Sequence, residues 1–322
     1  MYAPGAVSGH NRAVPVWNAP ADQVAPVGAP ADQDGATAGA DWPQSAAVTA
    51  RAQTENFPVA SRLLSGSVRT HLFAVYGFAR LVDELGDSHQ GDRGAALDWA
   101  ERELDRAYAG SAEHPLMVRL SHTLQACQLP RGPFVRLIEA NRVDQRVARY
   151  EDFQALRAYC ALSADPVGEL VLGVFGIATP ERVALSDSIC TALQLAEHWQ
   201  DVAEDRDSGR IYLPAEDMGH FGVTEADLRH AHAGANVRAL ISFEVQRARA
   251  LLLAGGPLLD TLSGRPRLAV AGFVGGGWAA LDAIARAGYD VLAGAPVASR
   301  PRRLAAAVAV LVAGTGRAPA QQ

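Results

Sequence analysis

From about residue 49 to residue 292, apolar residues recur at intervals of three and four, and this periodicity constrains the fold more than any other feature of the chain. Val68, Leu72, Val75, Phe78, Ala79 and Val82 form one such series; Leu240, Phe243, Val245, Ala248, Leu251 and Leu252 form another. Side chains at that spacing share one face of a helix. The alternating β-branched runs and turn pairs that mark hairpins are missing. Breakers separate the series at Leu129-Pro-Arg-Gly132, Gly176-Ile-Ala-Thr-Pro180, Tyr212-Leu-Pro214 and Gly255-Gly-Pro257, where helix ends belong. The expected class is all-α, with one domain over 49–298, because no linker-like stretch divides it. Residues 1–48 hold six of the 18 prolines and repeat Ala-Pro-Ala-Asp-Gln at 19–23 and 29–33. Such a segment buries too little to offset the entropy of ordering it, so it is read as a disordered tail. After 297–303 a short C-terminal helix and a frayed tip close the chain, over 299–322.

With 49% hydrophobic residues in 322, there is material for a large core. All 29 basic residues are arginine, set against 35 acids, for a net charge of −6. No clustered basic face favours a nucleic-acid partner, so none is expected. Cys127, Cys160 and Cys190 lie far apart without metal-ligand spacing, which argues against a disulfide framework or a zinc site and suits a reducing cytoplasm. No basic region followed by an apolar stretch opens the chain. The clean apolar run 304–314 is well short of the ~20 residues a bilayer-spanning helix needs. A cytoplasmic protein is expected.

Two segments depart from simple amphipathicity. Residues 71–87 read HLFAVYGFARLVDELGD and are apolar on nearly every side except at Tyr76, Arg80, Asp83 and Asp87. Steps of four, three and four stack these residues in one stripe, with Glu84 beside it. The segment ALQLAEHWQDVAED repeats the arrangement with Gln194, Glu197, Asp201 and Asp205, stepping by three, four and four. A lone Asp-xxx-Asp is usually a solvated face. Two copies in otherwise greasy helices point inward, towards a cavity between helices. Ionised carboxylates at i,i+4 in such a place repel one another, and a divalent cation relieves the conflict. Oxygen-only ligands select a hard ion, and Mg²⁺ keeps water and phosphate in its shell. Facing acidic stripes would therefore hold Mg²⁺ ions that clamp a diphosphate, with Arg80 and Arg210 adding direct contacts to its oxygens. Departure of that diphosphate would leave a carbocation in an apolar chamber. His198 lies one residue off the second stripe and is read as structural; Tyr150, Tyr159 and Trp199 are read as core. Gly275-Gly-Gly277 lacks the βαβ frame of a dinucleotide fingerprint and is read as a close helix contact.

These motifs resemble the squalene/phytoene synthase family of head-to-head prenyl synthases. Its first aspartate-rich motif is similar to Tyr76-Gly-Phe-Ala-Arg80-Leu-Val-Asp83-Glu84-Leu-Gly-Asp87. Its second is similar to Gln194-Leu-Ala-Glu197-His-Trp-Gln-Asp201-Val-Ala-Glu-Asp205, followed by Gly209-Arg210-Ile-Tyr212-Leu-Pro214. The stretch Tyr159-Cys-Ala-Leu-Ser-Ala-Asp-Pro-Val167-Gly168 resembles the family's mid-domain helix with a small-residue break. Within the family, Asn56-Phe-Pro-Val-Ala-Ser61-Arg62, residues 164–168 and His198-Trp-Gln-Asp201 look most like the hydroxysqualene synthase branch of hopanoid biosynthesis.

The resemblance implies an isoprenoid-synthase helical bundle enclosing a central apolar cavity. It implies Mg²⁺ ligands at Asp83, Glu84, Asp87, Asp201 and Asp205. Ser61, Arg80, Arg210 and Tyr212 would hold the diphosphate, Tyr76 and Gln194 would line the reaction chamber, Val167 and Gly168 would wall it, and Glu197 would join the substrate-binding residues, adding negative charge near the metals. The implied substrate is an isoprenoid diphosphate, presqualene diphosphate for this branch, converted to hydroxysqualene by water capture without NADPH. Condensation of two farnesyl or two geranylgeranyl diphosphates is the alternative, and a non-catalytic assembly factor is the rival of another class. That rival would have lost the carboxylates and arginines, which are present. Glu84 stands where a second Asp is commoner, Glu197 where Asn is usual, Gln200 where many relatives have Arg, and Asn141 where an aromatic is expected beside Arg142 and Asp144. An apolar product leads to an expectation of peripheral contact with the inner membrane face, through apolar or arginine-rich C-terminal surface, and of cooperation with other squalene-pathway enzymes.

Overall fold

The computed structural model describes residues 66–313, and every regular element among them is helical apart from one isolated bridge between Arg149 and Ile211. The α-helices are α1 (Gly66–Asp87), α2 (Arg93–Tyr108), α3 (Pro115–Cys127), α4 (Arg131–Asp144), α5 (Phe153–Ser163), α6 (Asp165–Val174), α7 (Pro180–Gln200), α8 (Val202–Asp207), α9 (Ala215–His220), α10 (Ala235–Gly255), α11 (Gly264–Arg286) and α12 (Arg300–Ala313), with short 3-10 turns at Asp227–Arg229 and Gly256–Thr261. The all-α class read from the apolar spacing is the class observed. The proposed tail at 1–48, Ser61 and the tip beyond 313 lie outside the described residues.

Helix ends fall where local chemistry puts them. Asp92 and Asp152 accept hydrogen bonds from the backbone N–H three residues on, at 3.0 and 2.7 Å, and so cap α2 and α5. Thr179 does the same for α7, whose first residue is Pro180. Each of the four breaker clusters marks a boundary: α3 ends before Leu129, α6 before Gly176, α8 before Tyr212 and α10 at Gly255.

Two apolar clusters form the core. One joins α1 to α4 with part of α6 and contains Leu81, Val82, Leu85, Leu97, Met117 and Phe134. The other joins α4 and α5 to α7 and the helices after it, around Trp199, Leu240, Val245 and Trp278. Full burial of each such side chain stabilises the fold by roughly 1.5–3 kcal/mol. Helix α6 packs against both stripe-bearing helices, α1 and α7, and α4 adds a second support for α1.

Small residues set the closest approaches. A Cβ on Gly275 would lie 2.5 Å from the Ala307 backbone of α12, and one on Gly277 2.7 Å from Leu193. The glycine triplet is a helix contact, as its setting suggested. Helix α11 is long and apolar enough to cross a bilayer, a feature hidden from a search for unbroken apolar runs by Arg265, Arg267 and Asp282. Its apolar window is 67% buried inside the bundle, which is the position of a core helix.

Candidate active site

Along α1, Tyr76, Asp83 and Asp87 are half-buried and Arg80 is 3% exposed. Glu84 is half-buried beside them. A guanidinium stays charged in any protein environment, so its burial calls for anionic surroundings. Asp83 is oriented by α4: Asn141 Nδ2 donates to Asp83 Oδ1 at 3.2 Å and to the Leu137 carbonyl at 3.2 Å. Gly86 makes room for that amide, since a Cβ there would sit 2.2 Å from Asn141 Oδ1. Asn141, noted in the sequence only as a departure from an aromatic, is a functional neighbour of the first motif.

The second motif is not one uninterrupted helix, as its spacing alone implied. It breaks at Asp201, whose φ of −102° and ψ of 16° end α7 and begin α8. The stripe survives because Asp201 N–H still bonds the Glu197 carbonyl at 3.0 Å, and Asp205 N–H the Asp201 carbonyl at 2.8 Å. Two i→i−4 bonds across the break preserve the helical register. Gln194 is buried, while Glu197, Asp201 and Asp205 are half-buried. Gln200 points away and donates to the Pro296 carbonyl, tying α7 to the segment before α12.

His198, set aside in the sequence as structural, sits among the site residues. Gln194 Nε2 donates to His198 Nε2 at 3.2 Å, which leaves the ring proton on Nδ1, 3.8 Å from Asp205 Oδ2. The imidazole stacks on Tyr212 with centroids 3.7 Å apart and planes 13° apart. Tyr150 also stacks on Tyr212, and Tyr159 adds a tilted ring and donates its hydroxyl to Asp144 at 2.8 Å. These tyrosines are buried, as expected, and they also form an aromatic wall behind the second motif. Residue spacing could not reveal it, because the four rings come from three separate stretches of chain.

Arg210 brings the two motifs together. Its backbone N–H bonds the Asp205 carbonyl at 2.8 Å, while its Nη1 lies 3.5 Å from Asp87 Oδ1 and its Nη2 donates to the Asp144 carbonyl at 3.2 Å. The loop that carries it is stitched to the strand-like segment after α4. Ile211 N–H bonds the Ala148 carbonyl at 3.0 Å, and Ala215 N–H the Tyr150 carbonyl at 2.9 Å. Arg149 donates to the Gly209 carbonyl at 2.7 Å and forms a bidentate pair with Glu225 at 2.7 and 3.0 Å.

In α6, Gly168 has a packing reason: a Cβ would meet Ser186 Oγ at 2.2 Å and Cys190 Sγ at 2.6 Å on α7. Half-buried Val167 packs against the first core cluster. Nearby, Asp165 is 2% exposed and takes hydrogen bonds from Arg157 and Thr191, both at 2.8 Å. Its carboxyl is nonetheless raised above its ordinary range, because desolvation outweighs those contacts.

Among the described residues no group of three or more His, Cys, Asp or Glu side chains forms a ready-made metal cage. The donors at hand (Asp83, Glu84, Asp87, Asp201 and Asp205) are all carboxylates, a set suited to a hard cation that takes its other ligands from water and phosphate. Buried or half-buried guanidinium groups at Arg80 and Arg210 complete a site of mixed charge suited to a polyanion.

The comparisons with known proteins agree on one family. The model of the squalene/phytoene synthase family matches residues 50–304. The hydroxysqualene synthase of Zymomonas mobilis is 36% identical over 203 residues, covering 62% of this chain and 68% of that one. The phytoene synthase of Arthrospira platensis is 33% identical over 214 residues, covering 61% and 68%. The crystal structure of squalene synthase HpnC from Alicyclobacillus acidocaldarius superposes with a TM-score of 0.72 at 47% identity, covering 76% of this chain and 93% of that one.

Proposed function

The chain belongs to the squalene/phytoene synthase family and is a prenyl synthase enzyme, and we propose that it converts presqualene diphosphate to hydroxysqualene in a Mg²⁺-dependent reaction. The observation that carries the chemistry is Arg210, held by the Asp205 backbone and reaching Asp87, so that both acidic motifs share one cationic hand. Support for the branch comes from the 47% identity to an HpnC structure and the likeness to hydroxysqualene synthases.

On this reading Arg80 and Arg210 donate to the diphosphate oxygens, and their charge counts most as the C–O bond breaks and negative charge builds on the leaving group. Mg²⁺, when held by Asp83, Glu84, Asp87, Asp201 and Asp205, supplies further positive charge to the same oxygens. The Tyr150, Tyr159, Tyr212 and His198 rings back the second motif and keep bulk water from the departing anion. Tyr76 and Gln194 face the carbon skeleton, and the amide of Gln194 is held in place by His198. Water adds to the rearranged cation, so presqualene diphosphate and one water yield hydroxysqualene, diphosphate and a proton. The balance contains no hydride, and NADPH has no place in it.

Mass spectrometry of products formed from presqualene diphosphate with Mg²⁺ and without NADPH tests the assignment, with hydroxysqualene expected. Consumption of farnesyl diphosphate without any hydroxysqualene from presqualene diphosphate would move the assignment to head-to-head condensation. The relatives that carry the name phytoene synthase favour geranylgeranyl diphosphate as the next substrate to try.

A further inference from the structure

Residues 291–322 contain four arginines, at 300, 302, 303 and 317, and not one Asp or Glu. In a chain of net charge −6, this gives the C-terminal stretch +4 and the remainder −10. Three of the arginines fall in the first turn of α12, and no polar residue follows until Thr315. Burial first, and the charge of Arg300 second, pull the Arg303 guanidinium below its ordinary pKa, so like charges are gathered closely there.

A helix on a protein surface normally turns polar residues outward. In α12 the inner face is apolar, with Ala306 at 7% and Val310 at 2% exposure against α11, and the outer face is apolar as well. Leu304, Val308 and Val312, one turn apart, are 58%, 50% and 83% exposed. With Pro301, Ala305 and Ala309 they line an open, almost wholly apolar recess. Val297, just before the helix, is 67% exposed. At 14 residues the helix is about 21 Å long, too short for a hydrocarbon core of roughly 30 Å. An aliphatic stripe with arginines at one end fits a surface where hydrocarbon lies beneath anionic headgroups.

We propose that the outer face of α12 docks on an anionic phospholipid bilayer, lying in the interfacial plane with Leu304, Val308 and Val312 among the acyl chains and Arg300, Arg302 and Arg303 at the phosphates. A second copy docked through the same face is a poorer occupant, because residues 291–322 bring the same positive charge and no Asp or Glu. The inference stands on α12 and is independent of which prenyl diphosphate the enzyme uses.

The test is co-sedimentation of the full-length protein with phosphatidylglycerol vesicles and with phosphatidylcholine vesicles, at low and high salt, beside light scattering without lipid. Binding to the anionic vesicles that weakens with salt is expected. Val308→Asp/Val312→Asp should leave the protein in the supernatant. Both positions are exposed, so thermal melting should be unchanged, which separates lost docking from lost folding. Arg300→Gln/Arg302→Gln should weaken partitioning ~30-fold, from about 1 kcal/mol per arginine near an anionic surface. Val118→Ser, at another exposed apolar position, should bind as the parent does. Recovery of the parent protein in the supernatant, undiminished binding of the double aspartate variant, or a lipid-free dimer abolished by that variant would each overturn the proposal.

Discussion

Replacing Gly86 by alanine puts two ordinary effects in opposition, and the structure says which one wins. In an isolated helix the change stabilises by ~1 kcal/mol, because glycine is the poorer helix former. Here the new Cβ would lie 2.2 Å from Oδ1, 3.0 Å from Cγ and 3.2 Å from Cβ of Asn141, whose side chain is 7% exposed and closely held. Asn141 must move, and its 3.2 Å hydrogen bond to the Asp83 carboxylate goes with it. A hydrogen bond to a charged group contributes ~1.5–3 kcal/mol, and overpacking of a filled site costs ~1–3 kcal/mol. Set against the propensity gain, the net loss is about 1.5–5 kcal/mol. For a domain of this size that lowers the melting temperature by ~2–4 °C for each kcal/mol. Thermal melts followed by circular dichroism are the assay. Asn141→Ala in the Gly86→Ala background removes the two nearest clashing atoms and should recover the overpacking share, ~1–3 kcal/mol, but not the hydrogen bond to Asp83, so the pair will be non-additive. A Gly86→Ala protein as stable as the parent, or more so, would refute the reasoning, for then helix propensity alone would govern the site.

Three further outcomes follow from other contacts. Arg210→Ala should reduce kcat/KM by ~10²–10³-fold with little change in melting temperature, and Arg210→Lys should restore little, because an ammonium cannot serve Asp87 and Asp144 as a planar fork does; near-parental turnover by either variant would remove Arg210 from the site. Glu244 is fully buried and its pKa is pushed up to about 8, chiefly by desolvation, with Asp217 adding to the rise and Arg247 opposing it. The folded state therefore binds more protons than the unfolded one between the ordinary value of 4.5 and about 8, so this group's contribution falls as pH rises through that window. Glu244→Gln should flatten the fall and be the more stable form at pH 8, as urea titrations at pH 5 and 8 would show; a variant weaker than the parent at pH 8 would contradict the sign. Gly275→Ala would drive a Cβ to 2.5 Å from the Ala307 backbone and should cost ~1–3 kcal/mol while speeding amide exchange across 300–313; unchanged exchange there would mean that α12 does not rest on that glycine.

What could be read from the sequence was what repeats locally. Spacings of three and four showed the helices and aligned Tyr76, Arg80, Asp83 and Asp87 on one face, because a helix converts short sequence intervals into spatial neighbours. Proline and glycine located the helix ends for the same reason: their constraints act on their own backbone. Asn141 lies 58 residues from Asp83 and Asp144 lies 66 from Arg210, so no local pattern could announce either contact. The contacts of His198 are not legible in the sequence because it falls one step off the stripe. The stripe was drawn for an unbroken helix, and the ring in fact stacks on Tyr212, a partner from beyond the break at Asp201. Gly86 reads as an unremarkable helix residue and Gly168 only as part of the chamber wall that the resemblance implies, since what each accommodates belongs to another helix.

The stitching of the loop after α8 to the chain near Tyr150 has an entropic consequence. A long, rotamer-rich side chain that is frozen only when its ligand arrives forfeits ~0.5–1.5 kcal/mol of affinity. Arg210 forfeits little, because folding has already aimed its guanidinium through bonds made by its neighbours rather than by any ligand. Capture of an anion should thus be sensitive to Arg149, whose ties to Gly209 and Glu225 hold the mount steady from a position that never meets the anion itself.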